Sequence, residues 1–367
     1  MDITILGFLK NMGIFAAVLS VLIVVHEWGH FITARKLGVK VERFALGFGP
    51  RLFSWVYDGT EFSLCLIPLG GYVKMAGDER SNYHGAPDEF FSKPPGQRAL
   101  IVLNGPVVNF VLAYVCLLFV FMLGYPDLAP KIGKVLEGYP AQAAGLRPGD
   151  KIVRIDSHTV ETWTEVQKNI AESKNEQIVF VVLRGNEEIQ KIVRPKIEDR
   201  KNIFGQKKTT PTVGIVPQEE IVVFKYPFQE ALVRAYRKLA EVTVMTYKSI
   251  YYMITGSMSA KESMTGPIGI FYIVKAAADM GFSHLLYIVG IISASLAIFN
   301  LLPVIPLDGG HLFLLAVEKI RGKALPEKVD EAIARVGFSL IICLALFVFY
   351  SDFLRFGWIE KILNIWR

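Results

Sequence analysis

Four long apolar segments run through the chain, separated by stretches that are richer in charged residues. They occupy residues 1–34, 99–125, 284–316 and 332–356. A helix needs about 20 mainly apolar residues to cross a bilayer, because each residue advances ~1.5 Å through a hydrocarbon core ~30 Å thick. The pattern therefore predicts a polytopic α-helical membrane protein with about four transmembrane helices.

The first apolar segment ends among polar residues. Between Met12 and Val25 it carries no charge, and these fourteen residues advance only about 21 Å as a helix. The span is complete only if His26, Glu27 and His30 lie at membrane depth. Ionisable groups are costly there and usually face a protein interior or a water-filled cavity, so the three residues are candidates for a functional site.

Residues 35–98, between the first two spans, contain a predicted β-hairpin. The stretch LFSWVYDGTEFSLCLI reads as two strands around Asp58 and Gly59, a pair that is common in tight turns because both residues tolerate positive φ. Apolar residues occupy both faces of the strands. The hairpin is therefore expected either to dip into the membrane boundary or to lie against the helices, since irregular backbone at that depth needs protein or a water-filled cavity around it.

A long polar insert follows the second span. Residues 130–217 mix strand-like runs, a short alanine-rich helix and a Gly-Leu-Arg-Pro-Gly-Asp turn, which predicts a small α/β domain. Residues 225–283 begin with a helix-prone stretch of aromatic and basic residues, which is typical of an amphipathic region on a membrane surface.

Composition and charge narrow the class of partner. The chain is 52% hydrophobic and 20% charged. Its net charge is +6, and its basic residues are dispersed among acidic ones. A lipid bilayer is therefore an expected partner, whereas the basic stripe of a nucleic-acid-binding protein is missing from the sequence. Three scattered cysteines without a CxxC pair predict neither a disulfide framework nor a thiolate metal site.

Loop charges predict the orientation of the spans. Residues 36–98 and 319–335 both carry several Lys and Arg, and such loops stay on the cytoplasmic side. With four spans, both chain termini and the insert then lie on the outer side. Glu318 begins the second of these loops and is expected at the surface.

Residues 26–30, His-Glu-Trp-Gly-His, form an H-E-x-x-H arrangement. Residues four apart share one face of a helix, so His26 and His30 can bind one Zn²⁺ while Glu27 acts as general base toward water. Zinc lowers the pKa of water to about 7 and so supplies a nucleophile. The pattern indicates zinc-dependent hydrolysis.

A catalytic zinc site also needs a third protein ligand and an open position. Asp308, in the third apolar segment, is the expected ligand, and His311 is the alternative. Gly309 and Gly310 would let this helix approach the first one closely. If Asp308 is the ligand, His311 is expected to have a structural or ligand-orienting role.

Asn104 and Asn109 are polar residues inside the second span, on either side of Pro106. They could belong to one kinked helix whose amides bond to adjacent helices. Alternatively, they could lie beside the metal and orient its ligands or a substrate backbone. The sequence leaves both interpretations open.

Three motifs, HEWGH, NGPVVN and NLLPVIPLDGG, follow one another in this order along the chain. Together they resemble the site-2 protease family of intramembrane zinc metalloproteases, particularly its bacterial regulator-of-sigma-E branch, over nearly the whole sequence. The resemblance implies that His26, His30 and Asp308 bind zinc and that Glu27 is the catalytic base.

The resemblance also implies where substrate binds. Two glycines after the hairpin match a membrane-reentrant β segment that pairs with an unwound substrate as an added strand, and an Asn-Pro region precedes the aspartate. The asparagines of the second span join them by position, because their amides could orient a substrate backbone. Asn300 or Asn104 could also stabilise the oxyanion or pin the substrate. The predicted substrate-binding residues are Gly70, Gly71, Asn104, Asn109, Asn300, Pro303 and Pro306.

Members of the resembled family cut a transmembrane helix of a single-pass membrane protein. Their substrates include anti-sigma factors already shortened by an upstream site-1-type protease, and remnant signal peptides. The resemblance implies a multi-pass protein of the bacterial inner membrane, with an extracytoplasmic PDZ-like insert that acts as a size filter and an active site near the cytoplasmic side. The insert has room for one PDZ-like domain, whereas the best-known sigma-E branch enzymes have two.

Two other classes of protein would also place polar groups in membrane spans. A zinc transporter would need neither a glutamate beside its first ligand nor a folded outer domain. A non-catalytic membrane scaffold bearing a PDZ-like domain would need neither an intact H-E-x-x-H nor Asp308. The combination therefore favours the zinc endopeptidase.

Overall fold

The computed structural model describes residues 5–173, 175–201, 207–323 and 325–356. The chain divides into two compact units. The helical unit contains the chain up to residue 120, residues 231–250 and the chain from residue 260 onward. The insert unit contains residues 121–230 and 251–259.

The described strands lie between the first and the fifth helix, and the described chain from the fifth helix onward is mainly helical. The helices are α1 (Ile5–Lys36), α2 (Pro95–Leu123), α3 (Pro140–Ala143), α4 (Trp163–Glu172), α5 (Phe228–Ile254), α6 (Ala260–Ser263), α7 (Pro267–Met280), α8 (Phe282–Asn300), α9 (Asp308–Arg321) and α10 (Glu327–Arg355). The strands are β1 (Val41–Tyr57), β2 (Thr60–Met75), β3 (Tyr125–Leu128), β4 (Ile132–Val135), β5 (Lys151–Ile155), β6 (His158–Thr159), β7 (Ile178–Arg184), β8 (Glu187–Val193), β9 (Lys196–Lys201), β10 (Lys207–Thr212), β11 (Ile215–Pro217) and β12 (Ile221–Phe224).

Among the described residues, four helices are long and apolar enough to cross a membrane. They are Leu6–Lys36, Pro95–Leu123, Phe282–Asn300 and Lys328–Arg355. Each has enough length to span a hydrocarbon core of ~30 Å at ~1.5 Å per residue. The chain is therefore a multi-pass membrane protein, and the predicted number of spans is confirmed.

The third span is shorter than predicted. A single helix over 284–316 was expected, but α8 ends at Asn300 and α9 begins at Asp308. Pro303 and Pro306 lie in the connecting turn, and proline cannot continue a helix because it lacks the N–H and clashes with the preceding turn. Asp308 is thus the first residue of a separate helix, not part of the span.

Gly309 and Gly310 pack against this same turn. A β-carbon at Gly309 would collide with the Leu301 carbonyl, and one at Gly310 would lie 2.6 Å from the backbone nitrogen of Ile305. The expectation that these glycines let their helix approach the first one is therefore wrong. They allow α9 to fold back on the turn that precedes it.

The region 225–283 is only partly the amphipathic surface segment that was predicted. Its first helix, α5, has apolar and basic positions, but α7 is mainly apolar. Val274 of α7 is fully buried in a cluster with Phe15, Val18 and Leu22 of α1. The apolar sequence of α7 therefore makes it part of the helical core.

The hairpin of β1 and β2 turns at Asp58 and Gly59, which have φ values of 47° and 75°. The predicted turn is thus confirmed. The strands bend, so residues 43–46 pair with 61–64 on one side and with 71–74 on the other. Among the described strands, 71–75 consequently forms one edge of this sheet.

The base of the hairpin lies against the helices. Phe44 and Met75 are buried in a cluster with Phe31 and Ala34 of α1 and with Ile101 of α2. The far end is different, because side chains from both of its faces are exposed. These exposed apolar residues are Leu52, Phe53, Trp55, Val56 and Tyr57.

The insert unit has its own sheet and core. Strands β6, β5, β7 and β8 form a four-stranded sheet in that order, and three two-stranded pairs join β9 with β10, β4 with β11 and β3 with β12. Alternating apolar residues of β5 and β7 and one face of α4 are buried together, including Ile152, Val166 and Phe180. Thr162 caps α4 by accepting a hydrogen bond from the Glu165 N–H at 3.2 Å.

Candidate metal centre

Three side chains from two distant parts of the chain converge in the helical unit. Nε2 of His26 lies 3.1 Å from Oδ2 of Asp308, and Nε2 of His30 lies 3.6 Å from Oδ1. The two Nε2 atoms are 3.3 Å apart. The spacing of four residues on α1 puts both imidazoles on one face, and the turn before α9 brings in the carboxylate.

The donor set fits a zinc ion. The nearest nitrogen and oxygen atoms of the three residues lie within 4.8 Å of one another, and two imidazoles with one carboxylate are common protein ligands of catalytic zinc. His26 and His30 are each only 8% exposed. Oδ2 of Asp308 is buried and accepts no hydrogen bond from the described residues, which is costly for a carboxylate oxygen unless a cation lies beside it.

The second nitrogen of each imidazole is held by α2. Nδ1 of His30 donates to the Ile101 carbonyl at 2.9 Å, which leaves Nε2 free to bind a metal. Nδ1 of His26 lies 3.2 Å from the side-chain amide nitrogen of Asn109. Helix α2 therefore orients both rings, a role that the sequence suggested only for its asparagines.

Two glycines make this approach of α1 and α2 possible. A β-carbon at Gly29 would collide with the backbone of Asn104, and one at Gly105 would collide with the His30 ring and lie 3.0 Å from Cε1 of His26. The close approach predicted for Gly309 and Gly310 thus occurs at other positions. The signal was present in the sequence, since Gly105 stands within NGPVVN.

A cavity of about 810 Å³ opens beside the converging side chains. It is lined near the site by His26, Glu27, His30, Gly71, Asn300 and Asp308. Glu27 lies against β2, because a β-carbon at Gly71 would lie 3.3 Å from its Cγ. The carboxylate of Glu27 and the edge strand 71–75 therefore face one chamber.

The predicted substrate-binding residues separate into two groups. Those that line the cavity are Gly71, Asn300 and Pro306, whereas its described lining does not include Gly70, Asn104, Asn109 or Pro303. At Gly70, φ is 127°, so this glycine serves the bend of the strand.

The two asparagines bond to α1. The Asn104 amide donates to the Gly29 carbonyl at 3.1 Å and to the Thr33 hydroxyl at 2.6 Å. These are the contacts of the helix-bonding alternative, whereas the Asn109 amide lies beside a ring nitrogen of His26. His311 lines the cavity but is not among the three converging residues.

Glu318 was expected at the surface, and that expectation is wrong. Its carboxylate accepts a hydrogen bond from Nη2 of Arg98 at 2.5 Å, and the two side chains are only 17% and 6% exposed. Both line the cavity at a distance from the metal centre. The partners are far apart in the sequence, so no local pattern could have paired them.

Comparison with known proteins adds the family context. A family model, Peptidase family M50, matches residues 14–344. A protein of Campylobacter jejuni that is provisionally named a zinc metalloprotease is 33% identical, over 92% of this chain and 92% of its own. A protein of Clostridium acetobutylicum with the same kind of name is 34% identical, over 93% of this chain and 97% of its own.

Two further likenesses have lower identity. The regulator of sigma E protease of Haemophilus influenzae is 28% identical, over 95% of this chain and 100% of its own. The PDZ domain of an SdrC-like protein from Listeria innocua, a solved structure, is 24% identical with a TM-score of 0.21, and covers 25% of this chain and 96% of that domain. The latter score is too low to define the fold of the insert.

Proposed function

The chain belongs to peptidase family M50 and is a multi-pass zinc metalloprotease, and we propose that it hydrolyses peptide bonds inside the transmembrane segments of single-pass membrane proteins. One observation carries this proposal. The donor atoms of His26, His30 and Asp308 converge at α1 and α9, beside an edge strand and a cavity. A peptide bond that enters this cavity lies beside Glu27 and the three converging side chains, within the helical unit.

Each residue of the centre has a role in the proposed mechanism. His26, His30 and Asp308 would hold zinc, and the bound ion would act as a Lewis acid that lowers the pKa of water and polarises a carbonyl. Glu27 takes a proton from the attacking water on its carboxylate and returns it to the nitrogen of the leaving amine. Asn300 and Pro306, at the wall of the cavity, position the substrate backbone.

The substrate binds as an additional strand. A peptide bond in an intact helix is shielded, so the substrate helix must unwind before it is cut. Among the described strands, 71–75 pairs with 41–46 along one edge only, and its Gly71, Tyr72 and Val73 line the cavity. Pairing along the other edge would satisfy the unwound backbone and carry it past Glu27.

The far end of the hairpin re-enters the membrane. Apolar side chains are exposed on both of its faces, whereas a sheet in water normally exposes polar residues on one face. The hairpin lies in the Lys- and Arg-rich segment 36–98, and such a charge pattern supports a location on the cytoplasmic side. The insert unit then lies on the extracytoplasmic side of the bacterial inner membrane. As a PDZ-like domain, it excludes substrates with bulky outer domains.

The likeness to the Haemophilus influenzae protein, which is named a regulator of sigma E protease, supports a class of substrate. We infer that the substrates are anti-sigma factors or remnant signal peptides, shortened on the outer side by an upstream protease. Because the insert has room for one PDZ-like domain and the best-known sigma-E branch enzymes have two, we do not assign the chain to the sigma-E pathway itself.

Glu27→Gln and Asp308→Ala test the reaction. The purified proteins are given a fusion substrate with one short, Gly- or Pro-containing transmembrane segment. Glu27→Gln should bind zinc yet lose cleavage by about 10²–10⁴-fold, because only the proton acceptor is removed. Asp308→Ala should lose both zinc and cleavage.

Glu241→Gln is the matched control, because this residue lies on α5 and its side chain is 52% exposed. It should cleave and bind zinc like the wild type. Cleavage by Glu27→Gln at the wild-type rate would sink the proposed function.

A further inference from the structure

Asn109 connects the metal centre to the second helix through a fully buried amide. Its side chain is 0% exposed, and its amide nitrogen lies 3.2 Å from Nδ1 of His26. We propose that Asn109 is a positioning residue, whose amide fixes the ring orientation and the tautomer of His26 and so sets the affinity for zinc. This inference rests on the proposed zinc-binding role of His26.

The chemistry of an imidazole ligand determines what Asn109 must offer. A ring that binds metal through Nε2 carries its hydrogen on Nδ1, which then needs an acceptor. An asparagine amide provides one through its oxygen, and the two ends of the amide have the same shape. The amide oxygen of Asn109 is buried, and no donor in the described part of the chain bonds to it. If the Asn109 amide is rotated so that its oxygen faces Nδ1 of His26, the oxygen accepts the Nδ1 hydrogen. Neither group is then left without a partner.

A hydrogen bond from a third helix fixes the backbone of Asn109. The Ser293 hydroxyl, on α8, donates to the backbone carbonyl of Asn109 at 2.8 Å. Both residues are 0% exposed, so water does not compete for this bond. Helix α8 leads into the turn that carries Asp308, and the carbonyl of Asn109 therefore links the two parts of the chain that supply ligands.

His30 has a corresponding partner that mutation cannot remove. Its Nδ1 donates to the backbone carbonyl of Ile101, which every residue at position 101 would retain. Asn109 is a side-chain partner on the same helix, and its substitution changes the support of His26 alone. Zinc affinity is thus the measurement that isolates its role.

The experiment uses the purified full-length protein in detergent micelles. Zinc affinity is measured by competition with a chelator of known affinity, and the unfolding temperature of each metal-free protein is measured alongside. Asn109→Ala should bind zinc about 10–100-fold more weakly, which is the usual loss when the partner of a ligating histidine is removed. Asn109→Asp should stay within a few-fold of the wild type, because a carboxylate also accepts the Nδ1 hydrogen.

Asn104→Ala is the matched control, since Asn104 has the same side chain on the same helix but bonds to Gly29 and Thr33. It should keep wild-type zinc affinity even if the metal-free protein unfolds at a lower temperature. If Asn109 had a purely structural role, metal-free Asn109→Ala would unfold at a lower temperature than the metal-free wild type. Metal-free Asn109→Asp would then also unfold at a lower temperature.

The outcomes distinguish this inference from the proposed function. A wild-type protein that binds no zinc contradicts the proposed function. A wild type that binds zinc, with Asn109→Ala binding it equally well, overturns the inference and leaves the proposed function standing. Zinc binding that is lost equally in Asn109→Ala and Asn109→Asp also overturns it.

Discussion

The backbone of Gly105 faces the imidazole of His30 with no room for a side chain between them. A single added methyl group would meet Nε2, the atom that points toward Asp308. The ring and the helix backbone are both buried here, and moving either one would disturb closely packed neighbours. The metal centre is therefore sensitive to the smallest substitution on α2.

Gly105→Ala should displace the His30 ring and weaken zinc binding by tenfold or more. Overpacking of a filled site typically costs about 1–3 kcal/mol. Chelator competition measures the affinity, as for the other variants. Gly96→Ala serves as control, because a β-carbon at Gly96 on the same helix would meet nothing within 4 Å, and loss of zinc in that variant too would contradict a steric cause.

The Arg98–Glu318 pair should contribute to the stability of the helical unit. It joins the start of α2 to α9, the helix that begins with Asp308, and both side chains are largely buried. A double-mutant cycle of Arg98→Met and Glu318→Gln is expected to give a coupling energy of about 1–3 kcal/mol. Reversible unfolding of the protein in micelles provides the four free energies.

The exposed pair of Lys74 and Glu42, 3.7 Å apart on the hairpin with side chains 42% and 44% exposed, provides the comparison. Its cycle should give less than about 1 kcal/mol, since water screens exposed ion pairs. Equal coupling in both cycles would show that the buried pair does not hold α9.

Strand addition predicts that a bound substrate lies beside Tyr72. This residue lines the cavity on segment 71–75. In a Glu27→Gln background with the native cysteines replaced by serine, Tyr72→Cys should form a disulfide with a single cysteine near the cleavage site of the substrate. Non-reducing electrophoresis detects the crosslinked product.

Phe53→Cys is the matched probe on the same hairpin. Phe53 is 63% exposed but belongs to segment 51–57, which pairs with 60–65 rather than with 71–75. It should crosslink far less than Tyr72→Cys. Equal yields at the two positions would contradict binding along one edge.

Asp150 should make the stability of the insert unit depend on pH. Burial alone raises the pKa of this carboxyl, but hydrogen bonds from Arg184 and from the Arg147 N–H outweigh it and hold the pKa below its usual value. The carboxyl has a pKa of about 3.9 in an unfolded chain. Its contribution is thus fully present above that pH and is lost as the pH falls through the lower folded pKa.

Asp150→Asn should lower the urea midpoint of the insert unit near neutral pH, and the difference from the wild type should shrink below about pH 4. Hydrogen exchange in β7 measures the midpoint at each pH. Glu172→Gln, at an exposed position on α4, should show no such trend. A gap between Asp150→Asn and the wild type that is constant with pH would contradict the assignment.

Local patterns predicted the parts of the molecule that local rules govern. The spacing of His26 and His30 places both rings on one helical face, and Asp58 with Gly59 defines the hairpin turn. Asp308 was selected because a zinc site lacked a ligand, and the structure brings it to the two rings. These predictions needed only periodicity, turn chemistry and coordination chemistry.

The remaining features depend on contacts between distant residues. The apolar run 284–316 does not reveal that its prolines end one helix and start another, since hydropathy is the same in both cases. Gly105 looks like any helical glycine until the His30 ring lies against it. Glu318 looks solvated because its partner, Arg98, belongs to another helix.

Because the turn before α9 brings Asp308 to the two histidines, the metal centre is complete only when distant parts of the chain have both been made. His26 and His30 precede the insert unit in the chain, whereas Asp308 follows it. A nascent protein therefore carries an incomplete donor set until its insert unit has been made. Synthesis itself acts as a safeguard, because the membrane receives a working peptidase only after the domain proposed to screen its substrates is in place.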